Sequence, residues 1–311
     1  MNSTSEIVFT LTGLTDKTEL GILLFVIFLL LYITMVMGNV GIMTLIIVDR
    51  HLHKPMYFFL SNLSMVDLIF SSAVTPKMLR DLLCETRTIS FVGCALQMCF
   101  FMSFATTEGL LLAVMAYDRY VAICMPLLYG ILMNYVLCRQ MVVAAYFGGL
   151  MNGLVHTTLV FHLNFCKSKI IDHFFCDIPP LYKLSCSNIF INVAVLVLFG
   201  GFLAVSSFLL IIISYTKIVL AILKIQSSQG RYKTFNTCAS HMTAVSIFYG
   251  TAFFTYLRPS TSFGQQQDLL TSVFYSVLIP VLNPLIYSFR NAEVKYAVHN
   301  IIAKKITRHF A

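Results

Sequence analysis

The chain has 311 residues, of which 58% are hydrophobic and 11% are charged, and its mean hydropathy is +0.84. These values exclude a soluble globular protein of ordinary composition and place the chain in a lipid bilayer. The net charge of +8 would suit nucleic acid, but the basic residues follow the pattern of membrane orientation, so no nucleic-acid partner is expected.

Seven stretches are nearly free of Asp, Glu, Lys and Arg, and each reaches the roughly 20 residues that a helix needs to cross a bilayer. They cover residues 20–48, 56–75, 90–116, 141–163, 189–215, 235–257 and 269–289. The sequence therefore predicts an all-α membrane protein, a seven-transmembrane helix bundle in a single domain. We expect residues 1–19 to form an extracellular tail, 20–289 the bundle and 290–311 a cytoplasmic tail.

The basic residues indicate how the bundle is oriented, because Lys and Arg accumulate in cytoplasmic loops. With the N-terminus outside and the C-terminus inside, the inner loops and tail carry only three acids, Asp49, Asp118 and Glu293. The same inner regions carry the bases Arg50, Lys54, Arg119, Arg139, Lys217, Lys224, Arg231, Lys233, Arg290, Lys295, Lys304, Lys305 and Arg308.

No cleavable signal peptide is evident, because residues 1–19 lack a basic start and the first apolar stretch is too long. The sequence Asn2-Ser3-Thr4 is a glycosylation site on the expected outer tail. After Arg290, apolar residues at helical spacing alternate with bases and predict a short amphipathic helix on the inner leaflet.

Three polar residues within the stretches are expected to face the bundle interior. Asn39 stands between Gly38 and Gly41 and needs a partner for its amide. Asp67 and Glu108 are carboxyl groups at membrane depth, where an unpaired charge costs on the order of 3 kcal/mol. They can share a proton or a cation such as sodium, with Asn283 nearby; alternatively, each is neutral and hydrogen-bonded for packing.

The third stretch ends at Asp118-Arg119. At the headgroup level both charges are expected to stay in contact with water, while Arg119 can still reach inward. Arg119 is therefore either a latch between helices or only a topology anchor. His156 and His241 lie within other stretches, and each is either a packing residue or a functional one. Pro284 predicts a bend, with Asn283 satisfying the backbone group that it frees.

The longest outer loop, residues 161–188, contains three cysteines, and a fourth stands at the outer start of the third stretch. Four cysteines permit three connectivities. We favour one pair that ties the loop over the mouth of the bundle and one that closes the loop on itself, namely Cys94–Cys176 and Cys166–Cys186. A metal site formed by these thiols with His162 and His173 is the alternative, although the spacing matches no specific zinc pattern.

Together these motifs resemble the rhodopsin-like G-protein-coupled receptors and, more closely, the olfactory receptors of the tetrapod type. The broader class is matched by Asn39, Asp67, Asp118-Arg119-Tyr120 and Asn283-Pro284-Leu285-Ile286-Tyr287. The olfactory pattern is matched by Met115–Cys124, Pro55–Leu60, Lys233–His241, Phe248-Tyr249-Gly250 and Pro280–Asn283. Tyr249 occupies the position where most rhodopsin-like receptors have tryptophan, which agrees with the olfactory pattern.

The resemblance implies a receptor, not an enzyme, in the plasma membrane. A small hydrophobic volatile ligand is expected in the outer half of the bundle, in a mostly apolar pocket with a few hydroxyl groups. On helical spacing, Phe101, Met102, Ala105 and Thr106 should share one face of the third stretch. The other expected lining residues are Phe199, Leu203, Tyr249, Ala252, Tyr256, Val273 and Ser276.

Ligand binding is expected to swing the inner end of the sixth stretch outward and open a cleft for a heterotrimeric G protein. The cleft is expected around Arg119, Tyr215, His241 and Tyr287, and the resemblance implies the stimulatory olfactory type of G protein and raised cyclic AMP. A transporter or proton channel with Asp67 and Glu108 as relay is the main alternative, although no inverted repeat is found. An intramembrane enzyme is a weaker one.

Overall fold

The computed structural model describes residues 8–166, 168–256, 265–290, 293–297 and 299. Seven long helices dominate it, and each contains nearly all of one predicted stretch. The helices are α1 (Thr18–Val48), α2 (Pro55–Leu83), α3 (Phe91–Cys124), α4 (Tyr135–Phe161), α5 (Phe190–Leu223), α6 (Ser228–Tyr256) and α7 (residues 265–290). Several extend one or two turns beyond the charge-poor stretch, because charged residues are compatible with helix once they lie outside the hydrocarbon.

Six of the described helices are long and apolar enough to cross a membrane. The exception, α6, has 29 residues but a lower mean hydropathy, because hydroxyl groups and His241 interrupt its apolar sequence. Large apolar side chains on the outer faces of the bundle are exposed, among them Met37, Leu198 and Phe202. In a membrane these side chains face lipid, so their exposure is the expected state.

Two helices contain a turn of π-helix, at Leu196–Gly200 in α5 and at Phe274–Leu278 in α7. Such turns insert one extra residue into an α-helix and occur frequently at functional sites. Residue-level periodicity does not predict them, and neither turn is indicated by the residue types. Each lies in the half of its helix that contains predicted ligand-binding residues, Phe199 in α5 and Ser276 in α7.

A small three-stranded sheet covers one end of the bundle, which we call the sheet end. Strand β1 (Val8–Leu11) pairs antiparallel with β2 (Thr88–Ser90) and parallel with β3 (Ile170–Ile171). Phe9 and Leu11 are fully buried beneath it. The sequence predicted only a tail here; the strands are too short to show an alternating pattern, and their partners lie far apart in the chain.

Helix α3 packs closely against α4 along a row of small residues. Cβ atoms at Gly149 and Gly153 would collide with Thr107 and Ser103 and with the backbone of α3. The four-residue spacing of both pairs matches the small-residue contacts that let membrane helices approach closely. Backbone proximity therefore fixes the relative position of α3 and α4, and with it the residues of α3 that face the bundle interior.

Residues 293–297 are helical, at the place where the sequence predicts a C-terminal amphipathic helix; apart from residue 299, the tail after them lies outside the described residues. Val294 and Ala297 are buried, whereas Lys295 and Tyr296 are exposed, as an amphipathic helix requires. Glu293 accepts hydrogen bonds from Lys54 Nζ at 2.7 and 2.9 Å. These contacts fasten the start of the C-terminal helix to the loop that joins α1 and α2.

Candidate functional site

Both predicted disulfides, Cys94–Cys176 and Cys166–Cys186, are present. The first ties the long loop to the start of α3, and the Cys176 N–H also donates to Gln97 Oε1 at 3.0 Å. The cysteines are therefore not available as metal ligands. Each of the two histidines of that alternative has a protein partner, His162 with the Thr158 carbonyl and His173 with Ser272.

The long loop is also fastened to α7 by two hydrogen bonds. His173 Nε2 lies 3.0 Å from Ser272 Oγ, and Tyr275 donates to Asp177 Oδ2 at 3.1 Å. Because His173 Nδ1 accepts the Phe175 N–H, the ring proton is on Nε2, and His173 donates to Ser272. The loop is thus a lid that contacts both α3 and α7 above the predicted pocket.

Burial determines the protonation of both lid residues. Burial lowers the pKa of His173 to about 3, outweighing the backbone hydrogen bond from Phe175 that raises it. Burial raises the pKa of Asp177, while hydrogen bonds from Ile178 and Tyr275 oppose the increase. The closed lid therefore holds a neutral histidine at neutral pH.

The predicted ligand-binding residues Phe101 and Thr106 of α3 contact different neighbouring helices. The Phe101 ring packs on Phe70 and Tyr275, with centroid distances of 4.9 and 5.6 Å. Thr106 instead accepts a hydrogen bond from Asn152 of α4 at 2.9 Å. Phe101 and Thr106 are five residues apart, which rotates them by well over a quarter turn around the helix.

The other predicted lining residues are distributed over α3, α5, α6 and α7 in the half of the bundle nearer the sheet. Met102 and Ser276 are buried, and Ser276 donates to the Ser272 carbonyl of its own helix. The side chain of Tyr256 lies outside the described part of the chain. Partly buried positions are Ala105, Phe199, Leu203, Ala252 and Val273.

Tyr249 connects the predicted pocket with the centre of the bundle. Its hydroxyl lies 2.7 Å from Ser207 Oγ of α5 and 3.3 Å from the Gly109 carbonyl of α3. Ser207 uses its own proton on the Leu203 carbonyl, so Tyr249 donates to Ser207. Gly109 follows Glu108 directly, and Tyr249 therefore ends one residue away from the buried acid.

Asp67, Glu108 and Asn283 meet in the centre of the bundle, as expected. Asn283 Nδ2 lies 3.1 and 3.2 Å from the two carboxylate oxygens of Asp67 and 3.1 Å from Glu108 Oε1. Both acids are fully buried. Glu108 Oε2 has no hydrogen-bond partner within the described residues. One amide thus bridges two carboxyl groups in a space that water does not reach.

The sequence suggested that Asn283 satisfies the backbone group freed by Pro284, but the structure shows that it does not. Proline at 284 leaves the Pro280 carbonyl without its helical donor, and Asn39 Nδ2 of α1 donates to that oxygen at 3.1 Å. Asn283 is instead committed to the carboxyl groups. The expectation that Asn39 faces the bundle is consistent with this contact.

At the opposite end of the bundle, which we call the Arg119 end, Asp118 is buried, with 1% exposure. The expectation that both charges of the Asp-Arg pair contact water is therefore wrong for Asp118. Its Oδ1 accepts a hydrogen bond from Tyr129 at 2.8 Å, and the tyrosine hydroxyl replaces water as donor. Tyr129 belongs to a short helix, Tyr129–Leu132, after α3.

His241 of α6 joins three helices near Arg119. Its Nε2 lies 3.1 Å from the Leu112 carbonyl of α3, and its Nδ1 lies 2.7 Å from the Tyr215 hydroxyl of α5. A carbonyl only accepts, so the ring proton is on Nε2 and Tyr215 donates to Nδ1. Tyr287 of α7 is fully buried beside this group, and Arg119 acts electrostatically on all three side chains.

Sequence reasoning missed several of these contacts. It assigned no role to Gln97 or Asn152 and did not identify Tyr129 as the partner of Asp118, although buried amides and hydroxyl groups require partners. A polar residue inside an apolar stretch was the available signal for Gln97 and Asn152. No sequence signal could have identified the Leu112 carbonyl, because a backbone acceptor becomes available only through packing.

A seven-helix bundle with a disulfide-tied lid, a buried acid pair and a polar network around Arg119 defines a membrane receptor of the rhodopsin-like class. A family model described as "Olfactory receptor" matches residues 28–305. The chain is 51% identical to human olfactory receptor 5F1 over 99% of its length and 98% of that relative. It is 52% identical to mouse olfactory receptor 5AP2, over 97% of this chain and 95% of the relative.

The dog olfactory receptor-like protein OLF1 is 51% identical over 96% of both chains. The chain therefore belongs to the olfactory receptor family, whose members are multi-pass plasma-membrane receptors and not enzymes. Nothing in these similarities supports a transporter or a proton channel.

Proposed function

We propose that this receptor binds a small, hydrophobic, volatile odorant beneath the lid and activates a heterotrimeric G protein of the stimulatory olfactory type, which raises cyclic AMP. The observation that carries this proposal is the link between Leu112, His241 and Tyr215. It holds α6 against α3 and α5 at the Arg119 end, so the described conformation is the resting one. A ligand that favours outward movement of α6 must release this link.

A polar route supports communication between the two ends. Tyr249 lies among the predicted ligand-binding residues and contacts Ser207 and the backbone next to Glu108. Glu108 shares Asn283 with Asp67, and Asn283 directly precedes Pro284 inside α7. A ligand that displaces Tyr249 changes the packing of α3, α5 and α6 together, which couples ligand binding to the conformation of the Arg119 end.

Substitution of Arg119 tests the proposal. Arg119→Ala is expected to abolish odorant-evoked nucleotide exchange on the G protein at unchanged surface expression. Arg139→Ala, near the start of α4, is the control, because no role in coupling to the G protein is assigned to Arg139. Normal odorant-evoked exchange by Arg119→Ala at matched expression would contradict the role of Arg119. A survey of different G proteins with the unaltered receptor tests the stimulatory type.

The proposed orientation places the N-terminus and the sheet end outside the cell and the Arg119 end inside. It is supported by the excess of Lys and Arg in the loops and tail of the Arg119 end. Asn2, which lies outside the described residues, is then accessible to glycosylation. Loss of a glycan-dependent mass shift in Asn2→Gln, together with antibody access to an N-terminal tag on intact cells, tests this orientation.

We further propose that Asp67 and Glu108 hold one positive charge between them, either a shared proton or a sodium ion. The residues fit both: two buried carboxyl groups share a single amide donor, and Glu108 Oε2 lacks a partner within the described residues. A bound sodium ion would supply charge neutralisation and would be held by these oxygen atoms.

The thermal stability of the purified receptor distinguishes the two. If sodium is held, replacing it with choline at constant ionic strength lowers the melting temperature, and Asp67→Asn removes this dependence. If a proton is shared, the melting temperature does not depend on sodium, and Glu108→Gln is tolerated. Sodium dependence that persists in both variants would contradict this site.

A further inference from the structure

Two buried polar side chains of α4 face Gly200 of α5 beside the predicted pocket, and we call the place where they meet the polar recess. Asn152 and His156 are one turn apart on α4, and only 3% and 1% of their surfaces are exposed. Asn152 Nδ2 donates to Thr106, but Asn152 Oδ1 and His156 Nε2 have no hydrogen-bond partner within the described residues. Buried polar atoms without partners are rare because each loses its hydrogen bonds to water.

Gly200 of α5 faces both of these atoms. It is the last residue of the π-helical turn Leu196–Gly200 in α5. A Cβ atom at position 200 would lie 3.3 Å from His156 Nε2 and 3.6 Å from Asn152 Oδ1. Both unpaired atoms therefore face the backbone of Gly200, where a side chain would cover them and where its absence leaves them uncovered on this side.

We propose that this recess binds the hydroxyl group of a small, uncharged alcohol. This inference rests on the proposed function and specifies the chemical class of its ligand. Asn152 Oδ1 can only accept a hydrogen bond, so the bound group must donate one. His156 Nε2, when it carries the ring proton, donates to the oxygen of the same group. A hydroxyl group satisfies both atoms at once.

Other functional groups fit the recess less well. An aldehyde, ketone or ester has no hydrogen to donate and leaves Asn152 Oδ1 unpaired, and a hydrocarbon leaves both atoms unpaired. A carboxylate would place its negative charge against the Asn152 oxygen. A buried ammonium group would find an amide oxygen and an imidazole there but no carboxylate among the contacts described for Asn152 and His156.

The walls of the recess suit the apolar part of an alcohol. Leu196 Cδ1 lies 3.7 Å from the position of a Cβ at Gly200, and the Phe199 ring lies 6.4 Å from the His156 ring. Thr106, the partner of Asn152, and Phe199 were both expected to contact ligand. The hydroxyl group is thus anchored at α4 while the carbon chain extends toward α3 and α5.

The test compares 1-octanol, octanal and octane, which share a chain length but differ in hydrogen bonding. Binding is measured by the shift in melting temperature of the receptor in nanodiscs, and activation by nucleotide exchange on the G protein. We expect 1-octanol to be at least about tenfold more potent than octanal or octane, because only the alcohol pairs both orphan atoms.

The adjacent glycines provide a matched pair of variants. In Gly200→Ala the new methyl group covers the two unpaired atoms. It is expected to lower the potency of 1-octanol at least about tenfold and to have little effect on the potency of octane. In Gly201→Ala the new Cβ has no atom within 4 Å, so the alcohol preference is retained. Asn152→Leu is expected to remove the preference for alcohol over aldehyde.

Each outcome separates this inference from the proposed function. Alcohol-selective binding without nucleotide exchange supports the recess and contradicts the proposed coupling. Equal potency of the three compounds, an unchanged alcohol response in Gly200→Ala, or no binding of 1-octanol overturns the alcohol site. Exchange evoked by other odorants alongside any of these results leaves the receptor function intact.

Discussion

Asn39 of α1 donates to the Pro280 carbonyl, the one oxygen of α7 that Pro284 deprives of its helical partner. The same amide also donates to the Met35 carbonyl of its own helix. The carbonyl that Pro284 leaves without a partner within α7 is therefore satisfied from a neighbouring helix. Gly38 allows this contact, since a Cβ there would lie 3.0 Å from Pro284 Cγ.

Asn39→Leu should destabilise the receptor, because the Pro280 carbonyl then remains buried without a donor. The expected loss is about 1–3 kcal/mol, measured as a lower melting temperature of the receptor in nanodiscs. Thr44→Val is the control on the same helix, because the exposed Thr44 hydroxyl bonds only to the Val40 carbonyl. Equal melting temperatures for both variants would show that the hydrogen bond from Asn39 to the Pro280 carbonyl does not stabilise the receptor.

Two neighbouring glycines of α4 should differ sharply in their tolerance of a methyl group. Gly149→Ala would drive a Cβ into the backbone oxygen of Ser103, whereas Gly148→Ala would meet only the end of the Leu110 side chain, at 3.1 Å. Overpacking costs typically about 1–3 kcal/mol or more where backbone must move. Surface expression and melting temperature should fall much further for Gly149→Ala. A reversed order would contradict the close approach of α3 and α4.

The helix bundle could be predicted from the sequence alone. A membrane helix is recognised by the length of its apolar stretch, and its backbone groups must form hydrogen bonds within the helix. The sequence was also sufficient for the meeting of Asp67, Glu108 and Asn283, since buried acids have few possible partners. In both cases a local property strongly restricted the possible structures.

Contacts that depend on the exact packing of the helices could not be predicted from the sequence. The partner of the carbonyl freed by Pro284 was assigned to the adjacent Asn283, although Asn39, 241 positions from Pro280, provides it. The buried Asp118 carboxylate is paired with the Tyr129 hydroxyl. Tyr129 follows α3, and its position in the sequence does not indicate where its side chain points. The π-helical turn that contains Gly200, beside the polar recess, has no periodic signature. These features follow from interhelical geometry and not from residue type.

Tyr215→Phe should raise the activity of the receptor without odorant. The substitution keeps the ring but removes the hydroxyl that donates to His241, and one hydrogen bond of about 1 kcal/mol changes a two-state population about fivefold. Basal nucleotide exchange at matched surface expression measures this change. The neighbouring Thr216→Val is the control, because the Thr216 hydroxyl bonds only to Ile212 within α5. Lower or unchanged basal exchange in Tyr215→Phe would contradict the proposal that the hydrogen bond between Tyr215 and His241 holds the receptor in its resting conformation.

Acidification should weaken the lid through His173. Its pKa is about 3 in the folded protein, below the ordinary value of 6.5. The stability contributed by the neutral ring is therefore fully present above about pH 6.5 and is lost as the pH falls toward 3. At pH 5 the loss amounts to about 2 kcal/mol. Asp177 acts in the opposite direction, because burial raises its pKa and protonation then favours the folded lid.

Comparison of variants isolates the histidine. Between pH 7 and pH 5, the melting temperature of the unaltered receptor should fall more than that of His173→Gln, in which Asp177 is retained and the titrating ring is gone. His162→Gln removes an exposed histidine of the same loop and should behave like the unaltered receptor. If His173→Gln loses as much stability on acidification as the unaltered receptor, His173 is not the group that titrates. The lid would then owe its acid sensitivity to another part of the chain.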